Sequence, residues 1–200
     1  MRTKLFYGLL LSIMAMAAMP VMAQEENGFK KISVEEDFTD NGFQWFRDAQ
    51  LLASGNKEKS NAMTIGWGGI GTLWGKPAIT VYVAEQRYTK QFMDASKYFT
   101  VMTFGVENSK VLTYMGHMSG RDGDKAAALG LHTAYTPNGA PYYTEAEMVI
   151  ECRIMYAAPF DPKYFKSEVP KVRYKDFPAG VHTMYVGEVT NAWKKYRNRL

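Results

Sequence analysis

The stretch at residues 61–77 constrains the fold more than any other part of the sequence, because it combines many glycines with two tryptophans. Five glycines fall between positions 66 and 75, interleaved with Trp67 and Trp74. Glycines at this density lose much conformational entropy on folding and give a strand few side chains to pack. The stretch therefore indicates either a Gly-rich hairpin with core tryptophans, which composition alone favours, or a bare backbone surface on which a flat ligand can lie.

The remainder of the chain alternates short β-strand patterns with short helical ones. Strands are predicted at 50–54, from 61 onward, at 78–83, 98–104, 145–155 and 181–190, and helices at 90–96, 109–114 and 124–129. Thr89 and Asn108 are the predicted helix caps. Residues 161–176 are predicted to be a connection with a turn at Pro170, and the basic tail at 192–200 is predicted to be helical. Short strands with few helices favour an antiparallel barrel over a doubly wound sheet.

The first 23 residues have the pattern of a cleavable secretory signal peptide. Arg2 and Lys4 precede an apolar run at residues 5–19, and residues 21–23 (Val-Met-Ala) form a suitable cleavage site. The run is short for a membrane span. We therefore expect one exported domain over 24–200, periplasmic or secreted, with no membrane span after cleavage. Since the only cysteine is Cys152, we expect no lipid anchor.

Charge and composition disfavour several classes of function. The formal net charge of +4 falls to +2 once Arg2 and Lys4 are removed, and no basic run alternates with aromatic residues, so nucleic-acid binding is not expected. No group of His, Cys, Asp or Glu has metal-ligand spacing, and no Gly-x-Ser-x-Gly motif appears. Cys152 lies in an alternating apolar pattern, which predicts a thiol buried in a barrel core.

Two polar clusters have the chemistry to bind a phosphate. Arg87 can make a bidentate contact to phosphate oxygens, and Thr89 adds a hydroxyl group at the start of a predicted helix. Ser119, Arg121 and Lys125 form the second cluster, beside two glycines that let the backbone approach a ligand. From the residues alone, a solvated arginine beside a capping threonine is the favoured interpretation of the first pair.

Four ordered pieces of sequence resemble the flavin reductase-like family of FMN-binding split-barrel proteins, which includes the flavoredoxins. The pieces are residues 61–68 with 73–77, residues 87–89, residues 119–122 with Lys125, and His182 with 187–189. The resemblance spans about residues 51–193. It implies a mainly β fold, an antiparallel, Greek-key-like split β-barrel with a few short helices. It also implies FMN as cofactor, and a homodimer with flavin sites near the subunit interface.

The resemblance also implies a role for particular residues. It places His182 beside the nicotinamide or another electron donor, as the catalytic candidate. The residues that it implies as FMN contacts are Asn61, Met63, Thr64, Gly66, Trp67, Thr72, Lys76, Arg87, Thr89, Ser119, Arg121 and Lys125.

Two positions depart from the family pattern. Glu85 stands where a small or neutral residue is usual, and it would repel a phosphate unless its side chain turns away. Met115 stands where many relatives have cysteine, so a thiol role near the flavin is not expected.

Three functional hypotheses remain open at this stage. The first is a flavin reductase-type enzyme, in which NAD(P)H passes a hydride to the flavin. The second is a flavoredoxin-like electron carrier that exchanges electrons with a protein partner, which export favours because pyridine nucleotides are expected to be scarce outside the cytoplasm. The third is a flavin-free binding module of the same fold. Because the sequence has no Rossmann fingerprint, any dinucleotide is expected to bind at the flavin site itself.

Overall fold

The computed structural model describes residues 27–195, which fold into a mainly antiparallel β structure with short helices around it. The strands are β1 (Phe29–Lys31), β2 (Gln50–Gly55), β3 (Ser60–Ile65), β4 (Gly68–Leu73), β5 (Lys76–Ala84), β6 (Tyr98–Thr103), β7 (Thr133–Tyr135), β8 (Pro141–Tyr143), β9 (Met148–Pro159) and β10 (His182–Lys195). The helices are α1 (Val34–Asp37), α2 (Gly42–Arg47), α3 (Thr89–Ala95), α4 (Ser109–His117), α5 (Lys125–Ala128) and α6 (Glu168–Lys175). Single 3-10 turns occur at Val106–Asn108 and Pro162–Tyr164.

The main sheet curls into a barrel that is open along one seam. Its strand order is β3-β2-β6-β9-β10-β5-β4, with β1 added to β10, and every neighbouring pair is antiparallel. β3 and β4 lie at opposite ends of this order, although only Gly66 and Trp67 separate them in sequence. Because consecutive Cα atoms are about 3.8 Å apart, this short link brings the two edge strands together. The predicted antiparallel split barrel is therefore confirmed.

Alternate residues of the strands supply two apolar clusters, as the period of two in a β-strand requires. Leu52, Val101 and Cys152 belong to the cluster inside the barrel. Their sequence neighbours Leu51 and Met102 belong to the second cluster, which α4, α5 and β8 cover. The buried thiol predicted at Cys152 is confirmed, and burial raises the pKa of that thiol well above its ordinary value.

The Gly-rich stretch divides into the barrel seam and a hairpin between β4 and β5. Trp74 and Gly75 form the two-residue turn of this hairpin with positive φ angles of 53° and 69°, as a type I′ turn requires. The interpretation with core tryptophans is wrong, because Trp74 is exposed at the turn and Trp67 is 39% exposed. Gly68 is needed for packing, because a Cβ atom there would overlap the Phe46 ring of α2.

Three local predictions are wrong, each for a physical reason. Thr89 is the first residue of α3 and is buried, and Tyr88 is the residue that precedes the helix. Pro170 lies in the first turn of α6, where its missing N–H is tolerated, so 168–175 is helical. Residues 192–195 continue β10, because they pair with both β9 and β1. Residues 196–200 of the predicted helical tail lie outside the described range.

The signal-peptide prediction concerns residues that also lie outside the described range. Within residues 27–195, no helix is long and apolar enough to cross a membrane.

Candidate functional site

Two adjoining cavities lie beside the barrel seam. The larger of the two, about 380 Å³, lies among β3, the turn after β5, the end of α4, the loop before α5 and residues 177–179. The smaller, about 160 Å³, follows β3 into the seam and ends at His182. Met63, Arg87 and Phe177 line both cavities. The two cavities therefore adjoin each other at these three side chains.

The pairing of β5 with β10 brings Arg87 and His182 to the same place. His182 is the first residue of β10 and pairs with Ala84, the last residue of β5. The chain then turns, and the Arg87 N–H donates to the Ala84 carbonyl oxygen at 3.0 Å. The two predicted site residues, which are 95 positions apart by their numbers, thus lie beside neighbouring strand ends.

The larger cavity gathers three cationic side chains that hydrogen-bond to backbone carbonyl groups. Arg87 Nη1 donates to the Gly116 oxygen at 3.2 Å, and Arg121 Nη1 donates to the Gln86 oxygen at 3.1 Å. Lys125 is the third cation. Within residues 27–195, none of the three forms an ion pair with a carboxylate. The cavity therefore carries a positive charge that an anionic ligand would neutralise.

Lys125 is the buried cation of the three. Its Nζ donates to the Ala62 oxygen at 2.6 Å and to the Met115 oxygen at 3.0 Å. Burial, with a further contribution from the positive charge of Arg87, lowers the pKa of Lys125 from 10.5 to about 8. A bound phosphate would raise the pKa of Lys125 again, because an adjacent negative charge favours the ammonium form.

Small and polar groups shape the wall of the same cavity. Asn61 Nδ2 donates to Thr89 Oγ1 at 2.8 Å, which links β3 to α3. A Cβ atom at Gly120 would overlap the Asn61 side-chain oxygen and lie 2.8 Å from the Tyr88 ring. Ser119 Oγ accepts a hydrogen bond from the Arg121 backbone N–H at 3.2 Å. The loop can therefore approach β3 this closely only with a glycine at position 120.

Glu85, which could have opposed an anion, is absent from the lining of the cavity. Its backbone N–H donates to the Val181 oxygen at 3.1 Å, and its side chain lies against Gly180. Met115 is buried and lines the cavity, so an apolar thioether occupies the position where a thiol was considered.

His182 lies at the end of the smaller cavity under aromatic side chains. Its ring is 4.9 Å from the Trp67 ring and 5.5 Å from the Phe177 ring, measured between centroids. Tyr174 Oη lies 2.9 Å from His182 Nδ1. Burial, followed by the positive charges of Arg87 and Arg173, lowers the pKa of His182 from 6.5 to about 4. The imidazole is therefore neutral at physiological pH.

The structure brings most of the predicted site residues together. His182 and the following predicted FMN contacts line one or both cavities: Asn61, Met63, Thr64, Gly66, Trp67, Arg87, Thr89, Ser119, Arg121 and Lys125. Thr72 and Lys76 lie on the β4–β5 hairpin and line neither cavity, and Lys76 Nζ is 3.7 Å from Glu188 Oε1. The assigned roles of all these residues remain predictions.

Sequence reasoning missed Tyr174 and Phe177, which contact His182 from α6 and the loop after it. Tyr174 belongs to the segment at 161–176, which was predicted to be a connection with a turn at Pro170, and Phe177 directly follows that segment. Its aromatic residues were the available signal, since three of them (Tyr164, Phe165 and Tyr174) line the cleft described next.

The largest cavity is an apolar cleft of about 1590 Å³ on the other side of Trp67. It shares Gly66, Trp67 and Tyr82 with the smaller cavity at His182. The exposed side chains of Phe43 and Val169 also line it. Arg47 and Arg173 line this cleft, but Arg87, Arg121 and Lys125 together line the cavity of about 380 Å³, which is therefore the better candidate for binding a phosphate. Within the described residues, no group of three or more His, Cys, Asp or Glu could hold a metal ion.

The fold and these cavities define a split-barrel protein with a site for a flat cofactor that carries an anionic end. The family model described as "Flavin reductase like domain" matches residues 49–199. The chain therefore belongs to the flavin reductase-like family. No curated protein is similar enough in sequence to count as a match.

Solved structures with the same fold include three flavoproteins of different description. Flavoredoxin of Desulfovibrio vulgaris (Miyazaki F) is 23% identical, with a TM-score of 0.58 over 76% of this chain and 71% of that one. An FMN-binding domain of a flavin reductases-like enzyme from Shewanella baltica is 14% identical, with a TM-score of 0.58 over 86% and 80%. NADH:FAD oxidoreductase of Streptomyces globisporus is 18% identical, with a TM-score of 0.55 over 76% and 78%. At these low sequence identities, the structural similarity shows the fold alone.

The family and these relatives support FMN as the cofactor, and the residues present fit it. The three cations that lack a carboxylate partner suit its phosphate group. The close approach of the Gly120 loop to Asn61 leaves a polar recess beside them. At the seam, Gly66 leaves the backbone bare, and the Trp67 side chain lines the cavity beside it.

Proposed function

We propose that the protein is an FMN-dependent oxidoreductase of the flavin reductase type that accepts a hydride from NAD(P)H. The observation that carries this proposal is the position of two adjoining cavities, which share Met63, Arg87 and Phe177. They bring three cations without carboxylate partners in the described residues into one region with a neutral histidine. Arg87, Arg121 and Lys125 would hold the phosphate of FMN. The ring would extend along the seam toward His182.

The residues of the site bind and orient, while bound FMN supplies the electron chemistry. The guanidinium groups and the Lys125 ammonium neutralise the phosphate, which fixes one end of the cofactor. The backbone at Gly66 and Trp67 can offer N–H groups to a ring edge. His182 can donate or accept one hydrogen bond without carrying charge, because its pKa is about 4. The barrel seam limits the directions from which a donor can approach.

A second function, that of an electron carrier with a protein partner, is favoured by the cover over His182. Only 8% of the His182 surface is exposed, beneath Trp67 and Phe177. A nicotinamide ring would have to displace one of these aromatic rings to reach the imidazole, whereas electron transfer to a docked protein would not require it.

Anaerobic absorption spectroscopy distinguishes these functions. The purified protein is mixed with FMN, separated from free flavin, and then mixed with NADH or NADPH under argon. Bleaching of the bound flavin band by a nucleotide supports the reductase. A bound flavin that ignores both nucleotides and bleaches with dithionite supports the carrier. Failure to bind FMN contradicts both and leaves a flavin-free binding module.

We further propose that the protein is a homodimer that buries the apolar cleft. Phe43, 88% exposed, and Val169, 78% exposed, both line this cleft, and single chains rarely expose a large continuous apolar surface. Light scattering coupled to size exclusion should give twice the chain mass. Replacing Phe43 with Asp should give the monomer mass, and a wild-type monomer at micromolar concentration would contradict the proposal.

We also propose that the chain is exported after cleavage behind Ala23. Fractionation of the source cells and intact-mass measurement test this proposal. A mature chain that begins at Gln24 in the periplasmic or secreted fraction supports it, and an uncleaved cytoplasmic chain contradicts it.

A further inference from the structure

Tyr174 makes a hydrogen bond with His182 that the proposed function does not use. Its Oη lies 2.9 Å from His182 Nδ1. The phenol ring is held on two other sides, stacked on Phe165 at 5.6 Å and edge-on to Phe177 at 6.1 Å between centroids. The hydroxyl group therefore has a fixed position relative to the imidazole. The contact joins α6 to the first residue of β10.

The direction of this hydrogen bond follows from the protonation of both groups. Burial raises the pKa of the Tyr174 phenol, against smaller opposing effects of the His182 backbone N–H and the charge of Arg173. The phenol is thus protonated and the imidazole neutral near pH 7. No other hydrogen bond of the Tyr174 hydroxyl group occurs in the described residues, so its proton is available for Nδ1. When the hydroxyl group donates to Nδ1, the neutral imidazole carries its proton on Nε2.

We propose that Tyr174 is a positioning residue, which donates its hydroxyl proton to His182 Nδ1 and thereby fixes the tautomer with Nε2–H. This inference rests on the proposed function, because it assigns the state of the histidine in that same site. With a fixed tautomer, His182 always presents Nε2–H to the cavity as a hydrogen-bond donor. Without the phenol, the ring could carry its proton on either nitrogen and could turn between Trp67 and Phe177.

The charged groups around His182 favour the neutral imidazole. Its tautomer must therefore be set by a hydrogen-bond partner other than a carboxylate. Arg87 from the turn after β5 and Arg173 from α6 both lower the pKa of His182, after burial. No carboxylate is hydrogen-bonded to His182 in the described part of the chain. In carboxylate-paired histidines an anion selects the tautomer, whereas here a neutral phenol does so.

The test is nitrogen-15 NMR of the flavin-free protein labelled at histidine. Two-bond correlations between ring nitrogens and ring protons report which nitrogen of each imidazole is protonated. Tyr174→Phe removes only the hydroxyl group and keeps the ring stacked on Phe165. Tyr164→Phe is the matched control, because Tyr164 is 66% exposed and no hydrogen bond of its hydroxyl group is recorded. Chemical denaturation checks that both variants are folded.

The wild type and Tyr164→Phe should show His182 with a protonated Nε2 and a non-protonated Nδ1. In Tyr174→Phe the two nitrogen resonances should move toward each other, as a tautomer mixture forms. The pKa of His182 should rise by roughly 0.5 to 1 in that variant, because a hydrogen bond to the neutral form is lost. A protonated Nδ1 in the wild type would overturn the inference, as would an unchanged tautomer in Tyr174→Phe.

A separate FMN titration keeps this inference distinct from the proposed function. The tautomer is measured without flavin, so a protein that fails to bind FMN would contradict the proposed function and still report the tautomer. Where FMN binds and NAD(P)H reduces it, Tyr174→Phe should slow the reduction of bound flavin while its FMN affinity changes by less than about threefold. A large loss of FMN affinity would instead show that Tyr174 acts on the binding of the cofactor.

Discussion

Replacement of Arg87 by Ala should weaken the binding of FMN but leave the binding of riboflavin almost unchanged. FMN and riboflavin share the ring and the ribityl chain and differ in the phosphate group. Arg87 lies in the cavity with two other cations, and only one of its side-chain N–H groups is seen to bond, to the Gly116 oxygen at 3.2 Å. The backbone N–H of Arg87 donates to Ala84, and its guanidinium group forms no other hydrogen bond within residues 27–195, so the remaining guanidinium donors are available for the phosphate.

The expected magnitude follows from the exposure of the side chain. A hydrogen bond to a charged group contributes about 1.5–3 kcal/mol. Arg87 is exposed, so solvent screens its charge and the lower part of that range applies. A loss of about 1.5–2 kcal/mol corresponds to roughly 10- to 30-fold weaker FMN binding. The FMN affinity of Arg87→Lys should lie between those of the wild type and Arg87→Ala. Lysine keeps the positive charge but lacks the planar guanidinium group that can contact two phosphate oxygens.

Quenching of flavin fluorescence measures both dissociation constants at fixed salt concentration. Lys110→Ala is the control, since it removes one positive charge at an exposed position that lines none of the cavities described here. Arg87→Ala should also raise the pKa of His182, because the charge of Arg87 is one of the causes that lower it. Equal weakening of FMN and riboflavin by Arg87→Ala would refute the assignment of the phosphate to this cavity.

Three further predictions concern pH and glycine positions. FMN affinity should fall as the pH rises through the Lys125 pKa of about 8, because only the ammonium form attracts the phosphate; below pH 7 the phosphate also takes up a proton, since its second pKa is about 6. Titrations from pH 6 to 9.5 should show this fall in the wild type and lose it in Lys125→Met; a flat wild-type profile would count against the role of Lys125. Gly120→Ala should weaken FMN binding at least severalfold, because its Cβ atom would overlap Asn61, and unchanged affinity in the same titration would argue against the close-packed loop. Gly187→Ala should lower the free energy of unfolding by about 1–3 kcal/mol, since its Cβ atom would lie 2.6 Å from the Phe99 ring; urea denaturation measures this, and an unaltered midpoint would contradict it.

The strands of the barrel were predictable because their side chains alternate between two buried surfaces. Cys152 and its neighbours follow this alternation, and the structure places them in the two clusters accordingly. The tail was not predictable in this way. Residues 192–195 are polar or basic in part and become a strand only because β1 and β9 offer partners on both sides. Such pairing between the two ends of a chain leaves no local pattern.

The polar half of the site could be predicted from the sequence, since Arg87, Arg121 and Lys125 lie in two of the four pieces that resemble the family. The structure adds that they share one cavity and have no carboxylate partner in the described residues. The environment of His182 was not visible. Its low pKa depends on the fold of residues 160–181 over the strand end, which brings Tyr174 and Phe177 to the ring. No spacing rule connects these aromatic residues to a histidine in the next strand.

The glycines of the Gly-rich stretch have different roles in the structure. Gly75 belongs to a tight hairpin turn, and Gly68 makes room for Phe46. Gly66 and Trp67 line the cavity at His182. Composition could not separate these roles, because each glycine is explained by a contact from a different part of the chain.

A crystal structure of the protein soaked or co-crystallised with FMN tests the central claim most directly. We predict a phosphate within hydrogen-bond distance of Arg87 and Lys125, and a flavin ring along Gly66 and Trp67 that reaches toward His182. A phosphate bound elsewhere, or a ring in the apolar cleft with the cation cavity left free, would contradict the account.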